Sequence, residues 1–215
     1  YALAHSPPRI RCQCPRRSTV VSCIDASSPP HRIGARRAID VGRRLTGHLL
    51  RFARWNVVRP EVINLANFFD WKEQNSVFED MAAFFDRNLN LTSDGEPEEV
   101  PAQVATPNLF SVLGVNAFQG RTFLPEDGKA GQPNVVVISY NLWQRRFGGE
   151  NVVGRKIRLS NQEATIIGIL PQQVGWYVQK ASMINQPPDI WSPWQITNEM
   201  RIRRGRFARA VARLK

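Results

Sequence analysis

Past residue 48 this 215-residue chain contains neither cysteine nor histidine. Its cysteines are Cys12, Cys14 and Cys23, and its histidines are His5, His31 and His48. The absence excludes a Ser-His-acid or Cys-His mechanism from the main body. It excludes a Cys/His zinc site there as well. Cys12-x-Cys14 with a distant Cys23 lacks zinc-ligand spacing and leaves one cysteine over. A body without cysteine is compatible with an oxidising compartment. Long apolar runs are missing too: no window approaches the roughly 18 consecutive apolar residues of a membrane-spanning helix. Arg9, Arg11, Arg16 and Arg17 interrupt any signal-peptide core at the N-terminus.

Acidic residues are scarce at both ends. Residues 1–60 carry a net +10, residues 61–200 a net −6 and residues 201–215 a net +7, which together give the chain its +11. The segment that looks foldable is therefore acidic. A nucleic-acid-binding domain needs its basic stripe on the folded surface, so nucleic acid is not expected as a partner. Residues 1–60 are rich in Arg, Pro and Ser and show no sustained period. They read as a disordered basic tail. A second reading is that they are an out-of-frame stretch of a GC-rich gene.

Pattern begins near Leu65. In "FFDWKEQNSVFEDMAAFF", Asp70 with Glu73 resembles a capping box. Trp71, Phe78, Met81 and Phe85 follow at helical spacing, which predicts a helix over 70–85 with these four side chains in the core. "NLNLTSDGEPEEVPAQVAT" predicts a hairpin about Ser93–Glu96. Asn90-Leu91-Thr92 matches a glycosylation sequon, a short and common match. Thr106-Pro107 predicts an N-cap and first helical residue, with Gly114 as the stop. Glu126-Asp127 sits in a turn-rich loop and reads as solvated, with no further ligand nearby for a cation.

"NVVVIS" is a buried strand by its β-branched residues. Ser139 caps a helix over 140–147 that Gly148-Gly149 ends. "GRKIRLS" and "ATIIGIL" then form a hairpin about Asn161-Gln162. The run GGENVVGRK within this stretch approaches a phosphate-loop spacing. Such a loop must join a strand to the helix whose N-terminal amides hold the phosphates. Here Gly149–Lys156 joins a helix to a strand, and Ile157 stands where the metal-binding hydroxyl belongs. A nucleotide site is not expected.

"FFDWKEQNSVFEDMAAF", "TPNLFSVLGVNAFQGRTFLPED", "VVVISYNLWQRRFGGENVVGRKIRL", "ATIIGILP", "DIWSPW" and "VARLK" occur in this order. Together they resemble the MacB-like periplasmic core domain of ABC transporter permeases, over about residues 65–215. The version they resemble most is that of large acidobacterial permeases with duplicated permease modules. The resemblance implies an extracytoplasmic domain at the cell membrane, without catalysis on this chain. It also implies partners: other permease segments, a separate ATP-binding subunit or domain, and an extracytoplasmic partner protein. In that family a spanning helix precedes the domain and further sequence follows it, so the chain reads as a C-terminally truncated fragment.

The expected fold is α+β, small α/β units with short mixed sheets and hairpins behind the basic tail. No catalytic, cofactor-binding or metal-binding residue is nominated, and no cofactor is expected. The implied function couples cytoplasmic ATP hydrolysis to export or extraction of a substrate. One rival is a free-standing extracytoplasmic interaction module. Another is an enzyme using only carboxylates, such as a glycosidase, for which no facing pair is identifiable. Trp176, Tyr177, Trp191 and Trp194 could line a groove, although residues of this size more often plug a core.

Overall fold

The computed structural model describes residues 62–93, 95–174, 184, 186–197 and 205–215, with two upstream dipeptides at 20–21 and 55–56. The tail expected at 1–60 lies outside the described residues except for those dipeptides. Trp176 and Tyr177 lie outside them as well. The elements in chain order are β1 (Val20–Val21), β2 (Trp55–Asn56), α1 (Leu65–Gln74), β3 (Phe78–Leu91), β4 (Glu98–Ala105), α2 (Leu109–Leu113) and β5 (Gln119–Gly120). A 3-10 turn (Pro125–Gly128) follows, then β6 (Val135–Ile138), α3 (Tyr140–Phe147), β7 (Lys156–Leu159), β8 (Gln162–Ile169), β9 (Ile190–Pro193) and β10 (Arg209–Leu214).

The expected mixed α/β architecture is present, and its strands join into one sheet. From β3 to β10 eight strands pair, and the dipeptides β1 and β2 extend the edge beyond β10. The order runs β10-β3-β4-β9-β6-β8-β5, with β4/β9 and β6/β8 parallel. β7 pairs with β8 and also meets β3 through Leu91 and Leu159, so six strands close on themselves. Inside that ring Leu89, Leu91, Val136, Ile157 and Ile166 pack with Trp143 and Phe147 of α3. On the sheet beyond, α2 packs against Ala82, Phe84 and Val211, while α1 covers Met81, Ala83 and Ala210.

The helix expected over 70–85 is not there. Asn64 starts the helix earlier, its side chain accepting from the Ala66 amide at 2.9 Å, and α1 ends at Gln74. Asn75 then turns extended, and its side chain accepts from the Phe78 amide at 2.7 Å where β3 begins. Met81, Ala82, Ala83 and Phe84 are all buried, because β3 carries helices on both faces. A strand covered on both faces reads as a continuous apolar run, and such a run contains helix-spaced positions by default. The core role still holds: Trp71, Phe78 and Phe85 pack partly buried around the fully buried Met81.

Other local signals are realised. β3 and β4 pair across the 93–96 turn with Leu91 opposite Glu98. α2 ends at Gly114 in the left-handed region. α3 covers the expected residues, with the Ser139 hydroxyl accepting from the Leu142 amide at 3.0 Å. Thr106 does not cap α2, since that position falls to Asn108. The Thr106 hydroxyl instead accepts from the Ala83 amide at 3.1 Å and donates to Asn108 at 2.7 Å, tying the α2 approach to β3.

Candidate functional site

The loop from Gly149 to Lys156 leaves the C-terminus of α3 and ends in β7, as its sequence order requires. Lys156 is exposed and pairs with Glu163 across the β7/β8 hairpin at 3.3 Å. The arrangement is a helix stop followed by a hairpin.

Polar side chains form three tied networks, the first buried and the other two reaching the surface. In the first, Gln103 on β4 donates to Asp86 at 2.7 Å and accepts from the Trp191 indole at 3.1 Å. Arg209 on β10 completes it with an ion pair to the other Asp86 oxygen. This network joins β3, β4, β9 and β10 in one plane. In the second, Asp189 accepts from Ser139 at 2.6 Å, and Arg145 spans Asp189 at 3.1 Å and Glu98 at 2.6 Å. Burial pulls the Arg145 guanidinium toward deprotonation, but the two carboxylates outweigh it and hold its pKa above the ordinary value.

The third network lies beside the last turn of α1. Asp80 accepts from Lys72 at 2.8 Å, Asn108 at 2.7 Å and the Met81 amide at 2.7 Å. Burial would raise the Asp80 pKa, yet these donors together lower it. Asp127 follows the same logic in the 3-10 turn: burial raises, while Arg121 at 2.6 Å and the Leu124 amide at 2.7 Å lower further. Asp127 is therefore a buried, doubly held cap, which corrects the solvated turn expected of the pair, while Glu126 stays exposed. Sequence spacing offers a partial signal for it, since Arg121 lies six residues upstream.

Two concavities among the described residues are formed by these elements. An apolar groove of about 590 Å³ runs between α1 and the 3-10 turn, lined by Phe68, Phe69, Thr106, Phe123, Pro125 and Ile196. A smaller recess of about 140 Å³ is lined by Ser139, Tyr140, Arg145, Gln172, Asp189 and Trp191. Trp191 and Trp194 are buried, which settles both as core residues. The two carboxylates with shifted ionisation, Asp80 and Asp127, shift downward, opposite to the need of a general acid. Among the described residues no group of three His, Cys, Asp or Glu side chains converges to hold a metal.

The geometry is that of a braced sheet with helices on both faces, and the comparisons agree with it. Residues 35–214 match the family described as the MacB-like periplasmic core domain. The chain belongs to that family. Its fold is similar to the periplasmic region of MacB from Actinobacillus actinomycetemcomitans, with a TM-score of 0.53 and 16% identity, covering 73% of this chain and 67% of the other. It is also similar to the extracellular domain of the noncanonic ABC-type transporter YknZ from Gram-positive bacteria. That pair has a TM-score of 0.51 and 13% identity, covering 72% of this chain and 74% of the other. No curated protein matches the chain. Members of the family are extracytoplasmic domains of membrane transporter permeases. Among the described residues no helix is long and apolar enough to cross a membrane.

Proposed function

We propose that residues 65–215 form the non-catalytic extracytoplasmic unit of an ABC transporter permease. ATP is hydrolysed by a separate cytoplasmic subunit or domain, and this unit relays the resulting movement to export or extraction of a substrate. The observation that carries the reading, beside family membership, is the seam at the start of the fold. Ile63, just before α1, bridges Ala208, and β10 continues from there along the full buried stretch of β3. A displacement of the chain ahead of α1 therefore pulls on the central sheet directly. The Asp86–Arg209 pair and the Gln103–Trp191 hydrogen bond stiffen that sheet across four strands.

The test uses the assembled transporter in lipid nanodiscs, with one spin label at the exposed Val153 and one on the ATP-binding subunit. Their distance is expected to differ between nucleotide-free and ATP-bound states. An unchanged distance overturns the relay. Calorimetry on the isolated chain checks the non-catalytic half of the reading. No ATP binding is expected, and a micromolar affinity lost in Lys156→Ala would overturn it.

A further inference from the structure

The two halves of α1 are held in different ways. The first half is sewn into the fold. Leu65, Ala66 and Phe68 are buried, the Ile63 amide just ahead of them donates to the Ala208 carbonyl at 2.6 Å, and the Asn64 side chain donates to the Gly205 carbonyl at 2.9 Å. In the second half Phe69, Asp70 and Trp71 are half-buried, and Lys72, Glu73 and Gln74 are exposed. The chain stays at the surface through Ser76 and Val77 before β3 begins. One flank of this second half, at Phe69, Lys72 and Glu73, borders the groove of about 590 Å³. Lys72 reaches away from the helix to β3, where its ammonium meets Asp80 at 2.8 Å and donates to the Met81 carbonyl at 3.1 Å. Water reaches the pair, whose side chains are 38% and 37% exposed. Asp80 also accepts from Asn108 and from the Met81 amide, both at 2.7 Å, so its carboxylate stays hydrogen-bonded when the lysine leaves.

We propose that the second half of α1 is a joint that lifts from β3 while the sheet stays folded, and that Lys72 is its latch on Asp80. A segment with little buried surface opens at a fraction of the free energy of global unfolding. The groove gives the Phe69 ring space to turn into without displacing a packed neighbour. A half-exposed ion pair is weak enough to break and reform, and here breaking it strands no buried charge. The use of the joint rests on the relay reading. A pull arriving ahead of α1 tilts the helix about its buried first turn, lifts its second half and widens the groove. The joint itself is read on the chain alone, so its failure and an unchanged distance in the assembled transporter are separate results.

Amide hydrogen exchange is measured residue by residue on the full chain. The amides from Phe69 to Gln74 are expected to exchange faster than those from Met81 to Phe84 on β3. Their rates should not respond to about 0.5 M urea, because a small opening exposes little surface. Lys72→Met keeps the apolar stem and removes the charge. It should speed exchange at 69–74 about threefold, the scale of a half-exposed pair, and leave β3 and α3 unchanged. Lys72→Arg should restore the wild-type rates. Sodium chloride at about 0.5 M should act on the wild type as Lys72→Met does and add nothing to that variant. Unchanged exchange at 69–74 in Lys72→Met would overturn the latch. Equal acceleration of α1, β3 and α3 would overturn the joint, since Lys72 would then support only global stability. A single rate and a single urea dependence shared by α1 and β3 in the wild type would overturn it as well.

Discussion

Asp86 has the most to lose of any single residue in the sheet. Its carboxylate is buried and meets Arg209 and Gln103 from two other strands. Among the described residues the Arg209 Nε has no hydrogen-bond partner, so the ion pair is the main compensation for this largely buried guanidinium. Removing one partner of a buried pair typically costs 3–5 kcal/mol, because the other charge stays behind. Asp86→Ala is expected to destabilise the chain by about that amount in urea unfolding. A loss below about 1 kcal/mol would mean that water reaches Arg209. Asp127 makes a pH prediction. Its pKa is lowered in the fold from an ordinary 3.8, so the folded state binds its proton less readily than the unfolded chain. The resulting stability is complete above the ordinary value and disappears as pH falls through the lower one. The stability gap between wild type and Asp127→Asn should be constant from pH 7 to about 5 and shrink below about 4. A gap that widens on acidification would reverse the assigned sign. Asp86 was not legible beforehand, because it meets a partner 123 positions away and only the folded sheet brings Arg209 to it; Asp127 was legible only through Arg121, six residues upstream.

At the level of elements, legibility followed how local the deciding signal is. α3 was readable because its cap, its stop and its apolar face lie within ten residues and agree. The β7/β8 hairpin was readable for the same reason, with Ser160 and Asn161 in the left-handed region at its turn. β3 was misread because the strand character of its first half depends on β10, more than a hundred residues away, while Met-Ala-Ala-Phe-Phe has good local helix propensity. The helix reading and the strand reading predict different costs for the same substitutions. Met81 has no exposed surface and Phe78 is only half-buried. Met81→Ala should therefore cost about 2–5 kcal/mol. Phe78→Ala should cost less than Met81→Ala, measured in the same denaturant series. An inverted order would place Phe78, and with it the start of β3, in the core.

Across the whole molecule the last strand decides whether there is one cooperative unit. β10 reaches back to β3 over more than a hundred residues and, with Ala208 just before it, supplies Ala210, Val211 and Ala212 to two of the three core clusters. It also supplies Arg209 for Asp86, and Arg213 donates to the Val112 and Ser111 carbonyls at 2.9 Å, bracing the end of α2. Without it, β3 would show an unpaired buried edge, Asp86 would lose its cation, and Ile63 would lose its bridge. The Asp86 term alone is about 3–5 kcal/mol, against a total stability of roughly 5–15 kcal/mol for a domain. A chain ending at Gly205 is therefore expected to lose cooperative thermal unfolding and near-ultraviolet dichroism while keeping part of its helix signal. Local elements such as α3 and the β7/β8 hairpin carry their own caps and turns and would persist longest. If the shortened chain instead melts in one sharp transition close to that of the full chain, β10 is an accessory edge. The seam between Ile63 and Ala208 could then not transmit force to the sheet.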